Sequence, residues 1–182
     1  MDAAFAWLGQ LAEWLGAFIP RWVILDTTQG AIKYVGGDRP VVCGPGVHFF
    51  WPARTTFVIY PTARQTDQLE TQTMESSDGV TFVVSGLITY RVIDLAALLT
   101  TTHDAMVAIR DMAQAAVHDV CCAGTWTELQ GKQRNRSVLK TELKNEAQRQ
   151  LKDYGVEVIK LQLTSLARCR VIRLSQSTAQ EG

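Results

Sequence analysis

Residues 77–94 read SDGVTFVVSGLITYRVID, and this stretch decides the fold. The Asp78-Gly79 dipeptide is a hairpin turn signal, and it separates the polar, alternating segment from Arg64 to Met74 from the apolar run Val80 to Val92. Alternation along TFVVSGLITYRV places Phe82, Val84, Gly86, Ile88 and Tyr90 on one side. Val83, Ser85, Leu87, Thr89 and Arg91 fall on the other. The spacing predicts two antiparallel strands with one face in a core.

Working outward, residues 22–50 are rich in β-branched residues and turns, as in VILDTTQGAIKYVGG and PVVCGPGVHFF, and predict short strands joined by tight turns. Beyond Asp94 the apolar period lengthens from two to about 3.6. Met106, Ile109, Ala113, Ala116 or Val117 and Val120 form one stripe on a helix from about Asp104 to Cys122, with His103 and Asp104 where caps belong. Gly124 ends it, and Thr125 with Glu128 makes a capping box for the next helical start. Leu139, Leu143, Ala147, Leu151 and Tyr154 then recur at spacings of three or four up to Gly155, a natural C′ residue. Val156 to Leu166 alternates as a return strand, with a one-step slip between Val158 and Leu161. Strands, helices and a closing strand together predict an α+β domain with helices packed on one face of a mixed, mostly antiparallel sheet.

Composition bounds the function. The 182 residues, 47% of them hydrophobic, suffice for one domain, here taken as residues 21–174 with a polar tail at 175–182. Lys plus Arg and Asp plus Glu both total 18, so no global basic field exists to hold nucleic acid. The four cysteines include the vicinal pair Cys121-Cys122 and no C-x-x-C, which favours reduced thiols. No run of eighteen purely apolar residues occurs, and a secretory signal is not expected where Asp2 precedes the first basic residue, Arg21.

Residues 1–20 instead predict an amphipathic helix that lies on a membrane. Trp7, Leu11, Trp14 and Phe18 fall in one stripe with Leu8, Leu15 and Ile19 beside it, while Asp2, Gly9, Gln10 and Glu13 fall opposite. Pro20 stops the helix, and Arg21 and Trp22 add an interface-type cation and ring. Packing of this helix on the protein's own core is the plainer alternative. Phe49, Phe50 and Trp51, followed by Pro52, cannot all face a core in an extended stretch, so they are a second candidate membrane contact.

Catalytic and metal chemistry find little support. No G-x-S-x-G elbow or P-loop is present. His118, Cys121 and Cys122 share helical spacing but lack a fourth ligand signature, and no cofactor is expected.

In combination, several motifs resemble the SPFH or band-7 domain of stomatin, prohibitin and flotillin relatives over about Trp22 to Leu174. They are Gln29-Gly30, then GPGVHFFWP from Gly44 through Pro45, Gly46 and His48 to Pro52, and the turn into Tyr90-Arg91-Val92-Ile93-Asp94. Arg110, Asn135-Arg136 and Tyr154-Gly155-Val156 also fit that layout. The resemblance implies a non-enzymatic scaffold at the cytoplasmic face of a membrane, bound to lipid, assembled into homo-oligomeric rings or cages, with membrane proteases or channels as clients. The stretch before the domain is more polar than the usual anchor of the family, and the long coiled coil that follows the domain elsewhere is not read here. A soluble binding module or protease adaptor is the alternative.

Overall fold

Glycines with positive φ mark turns between the strands, among them Gly36 at 67°, Gly79 at 75° and Gly155 at 66°. The computed structural model describes Trp7, Gly16 and residues 19–169 other than Asp38 and Asn135. The elements are β1 (Arg21–Leu25), β2 (Gln29–Val35), β3 (Arg39–Cys43), β4 (Gly46–Phe50), β5 (Thr55–Pro61), β6 (Gln65–Glu75) and β7 (Thr81–Val92). Then follow α1 (Leu95–Thr101), α2 (Ala105–Cys122), α3 (Trp126–Arg134), α4 (Arg136–Leu151), a 3-10 turn (Lys152–Tyr154) and β8 (Val156–Arg168).

The α+β class is as expected from the sequence, but among the described residues the strands form three sheets instead of one, and every pairing is antiparallel. Their orders are β1-β4, β3-β2-β5 and β6-β7-β8. The expected hairpin is present: β6 and β7 pair from Glu75↔Thr81 to Gln65↔Tyr90 around the Asp78-Gly79 turn. Along β7 the predicted core face is buried at Phe82, Val84, Gly86, Ile88 and Tyr90. The slip in β8 is a register shift, since Thr89 faces Lys160 and Tyr90 faces Val158, leaving Ile159 as an extra residue. That bulge explains why Val158 and Leu161, three apart, both point inward.

Helices cover this face. Ile109, Ala113, Ala116 and Val117 of α2 and Leu139, Leu143, Ala147 and Leu151 of α4 join the strand residues in one core, each large side chain contributing about 1.5–3 kcal/mol by leaving water. The periodic segment that runs up to Gly155 divides into α4 and the 3-10 turn. The capping box forms as read: Thr125 N–H donates to Glu128 Oε2 at 2.9 Å and Glu128 N–H donates to Thr125 Oγ1 at 3.3 Å. Asp78 adds a cap from the distant hairpin, accepting the Trp126 N–H at 3.1 Å.

The first five strands form a small sandwich beside this core. The β1-β4 ribbon turns Val23, Leu25 and Phe50 toward the β3-β2-β5 sheet, where Leu25, Ala31 and Cys43 are buried with Phe57 and Val23 against them.

Candidate functional site

Cross-strand register fixes what the ribbon shows to the outside. Trp22 pairs with Phe49 and Ile24 with Val47. Partners in an antiparallel ladder share a face, and the next residues along the strand take the opposite one. Since Val23, Leu25 and Phe50 face the sheet, Trp22, Ile24, Val47 and Phe49 all face out, between 60% and 71% exposed. No charged residue interrupts this face within the two strands. The Trp22 and Phe49 rings meet edge to face with centroids 6.1 Å apart, so they form one surface. Ile19 and Trp51 are also exposed, and they enter and leave the ribbon at the Arg21↔Phe50 end. Contiguous exposed apolar faces are where docking surfaces are commonly found.

The three aromatics 49–51 thus separate. Phe49 and Trp51 are exposed, whereas Phe50 is half-buried with its ring 5.5 Å from Phe57. The stretch is a strand end, because pairing with β1 extends β4 through Phe50 and imposes alternation on it. The sequence reading overlooked Ile24 and Val47, whose exposure depends on a pairing between segments about twenty residues apart. Of the N-terminal stripe, Trp7 and Ile19 are exposed, while Leu8, Leu11, Trp14, Leu15 and Phe18 lie outside the described residues.

The motif residues hold structure. Gln29 starts β2 after a turn in which its N–H donates to the Asp26 carbonyl at 3.0 Å. A Cβ on Gly30 would sit 2.9 Å from Thr62 Cγ2, so the strand there admits glycine alone without displacement. Gly44-Pro45-Gly46 turns β3 into β4 with Gly46 at φ 135°, and His48 Nε2 bonds back to the Gly44 carbonyl at 2.7 Å. Pro52 lies in a turn closed by the Arg54 N–H donating to the Trp51 carbonyl at 3.0 Å. Tyr90 is buried and donates to Asp67 Oδ2 at 2.9 Å; burial first and the Asp67 carboxylate second push its hydroxyl far above the usual range. Arg91 Nε donates to Glu157 Oε2 at 2.6 Å with both side chains substantially exposed. Asp94 caps α1 by accepting the Ala97 N–H at 3.0 Å.

His118, Cys121 and Cys122 do not converge. The His118 side chain is 61% exposed beside Asp119, whereas Cys121 is buried and its thiol is pushed up to about 12 by that burial. Among the described residues no group of three His, Cys, Asp or Glu side chains could hold a metal ion, and no helix is long and apolar enough to cross a membrane.

A family model described as SPFH domain / Band 7 family matches residues 21–179. None of the curated proteins compared matches the chain.

Proposed function

Because the chain belongs to the SPFH domain / Band 7 family, we propose that it is a membrane-attached scaffold that docks by the outward face of its β1-β4 ribbon. Members of the family are generally membrane-associated, oligomeric and not enzymes. The single observation that supports the docking mode is the cluster of Trp22, Ile24, Val47 and Phe49, exposed together without a charge among them. Two aromatic rings at such a face suit the headgroup boundary of a bilayer, where one side of the ring is apolar and the other wet. The N-terminal stripe of Trp7, Leu11, Trp14 and Phe18 is the second attachment point in this reading. On the membrane, copies associate side by side into a ring or cage at the cytoplasmic face, organising lipid or regulating membrane proteases or channels. Confinement to one plane raises the effective concentration of neighbours, so weak lateral contacts suffice.

Flotation of the full chain with liposomes tests the docking mode. Trp22→Ser with Phe49→Ser removes two exposed rings that support no core residue, so the fold should persist while the floated fraction falls. Unchanged flotation of a folded double variant would refute docking through the ribbon. A wild-type chain that never floats and stays monomeric would instead favour the soluble adaptor.

A further inference from the structure

Between β4 and β5 the chain crosses from the end of the ribbon back to the sheet, and the crossing leaves a cup lined by Lys33, Val35, Trp51, Ala53, Arg54 and Thr55. The backbone of its rim is fixed. Arg54 N–H donates to the Trp51 carbonyl, and the Gly36 N–H donates to the Arg54 carbonyl at 2.9 Å, tying the rim to the end of β2. Both bonds use the Arg54 backbone; its guanidinium has no partner among the described residues. Among the described residues Lys33 Nζ makes one hydrogen bond, to the Phe49 carbonyl at 3.3 Å. Among the described residues no carboxylate lines the cup.

Two cations and an exposed indole therefore border one apolar-walled concavity, joined through Phe49 to the outward face of the ribbon. We infer that this cup receives the phosphate headgroup of an anionic phospholipid, with Lys33 and Arg54 on the phosphate and Trp51 at the level of the headgroups. The inference rests on the membrane-bound reading and names its lipid class. Charge separates it from the cleft lined by Arg64, Arg91, Lys144 and Glu157, where a carboxylate already occupies the site and holds Arg91. In a choline headgroup the ammonium cancels the phosphate charge, whereas a headgroup of net negative charge leaves an uncompensated anion for Lys33 and Arg54.

The experiment compares full-chain binding to vesicles of phosphatidylcholine alone and to vesicles in which part of it is replaced by phosphatidylserine. The expected result is tighter binding to the anionic vesicles, weakening as salt is raised. One Lys or Arg near an anionic surface is worth about fivefold in partitioning, so Lys33→Gln with Arg54→Gln should cost about 25-fold on anionic vesicles. The same variant should bind neutral vesicles as the wild type does, which also reports that it is folded. The charge-matched pair Arg64→Gln with Lys144→Gln should leave the lipid preference in place. Equal loss in both pairs would mean a diffuse field and overturn the site. Equal wild-type binding to both vesicle types would overturn it too, while leaving the membrane reading intact; binding to neither would remove both. Inorganic phosphate binding that Lys33→Gln with Arg54→Gln abolishes, together with equal wild-type binding to both vesicle types, would mean a free-anion site and likewise refute it.

Discussion

Gly155 is the residue whose replacement tests the packing logic most sharply. It closes the 3-10 turn in the left-handed region, φ 66° and ψ 26°, and its N–H donates to the Lys152 carbonyl at 3.1 Å. Its carbonyl accepts the N–H groups of Ile93 and Asp94 at 2.9 and 3.0 Å, which joins the start of β8 to the end of β7. A Cβ there would stand 2.5 Å from the Asp94 carbonyl oxygen and 2.6 Å from the Asp94 Cβ. Gly155→Ala therefore meets two costs. Left-handed backbone in a residue with a Cβ costs about 1–2 kcal/mol, and displacing packed backbone costs about 1–3 kcal/mol more. The sum is about 2–5 kcal/mol, or a urea midpoint lower by about 1–2.5 M at a slope of about 2 kcal/mol per M. Gly36→Ala isolates the first cost, since its φ is 67° and nothing lies within 4 Å of the added methyl. Urea unfolding followed by circular dichroism should thus show Gly155→Ala losing clearly more than Gly36→Ala. Equal losses, or under about 1 kcal/mol at Gly155, would refute the argument.

Arg91→Ala should cost under about 1 kcal/mol by the same assay, because the ion pair with Glu157 is exposed on both sides and screened. Leu143→Ala, at a fully buried core position, should cost about 2–5 kcal/mol; retention of the wild-type midpoint would contradict its place between α4 and the sheet. Asp78 is held below the usual carboxylate range, first by the Ser76 hydroxyl and then, among other contacts, by the Trp126 N–H. A depressed carboxyl stabilises the fold above its unfolded pKa and loses that contribution as pH falls through the folded value. Asp78→Asn should accordingly be less stable than wild type at neutral pH, and the gap should narrow on acidification. A gap that is constant with pH would show that the charged cap contributes nothing.

The surfaces assigned to function depend on pairing more than on composition. Trp22 and Phe49 are ordinary apolar residues until β1 lies against β4, and Lys33 and Arg54 are ordinary surface cations until the chain turns back at Pro52. By contrast, the motif residues around Tyr90 and Asp94 are visible in sequence, and their contacts are those of framework.

The sequence alone determined the local elements. Alternation marked β7, a 3.6 period marked α2 and α4, and Thr125, Glu128 and Gly155 marked helix ends, because capping, turn geometry and side-chain period act over a few residues. It also carried the slip in β8 that the structure resolves as the Ile159 bulge. Only the tertiary structure decided that the strands of the described residues divide into three sheets, that Phe50 turns in while Phe49 turns out, and that Ile24 and Val47 join Trp22 on one face. The reason is physical: local preference fixes which residues alternate, but which of the two faces is buried depends on the partner strand and its register, and that partner lies far away along the chain.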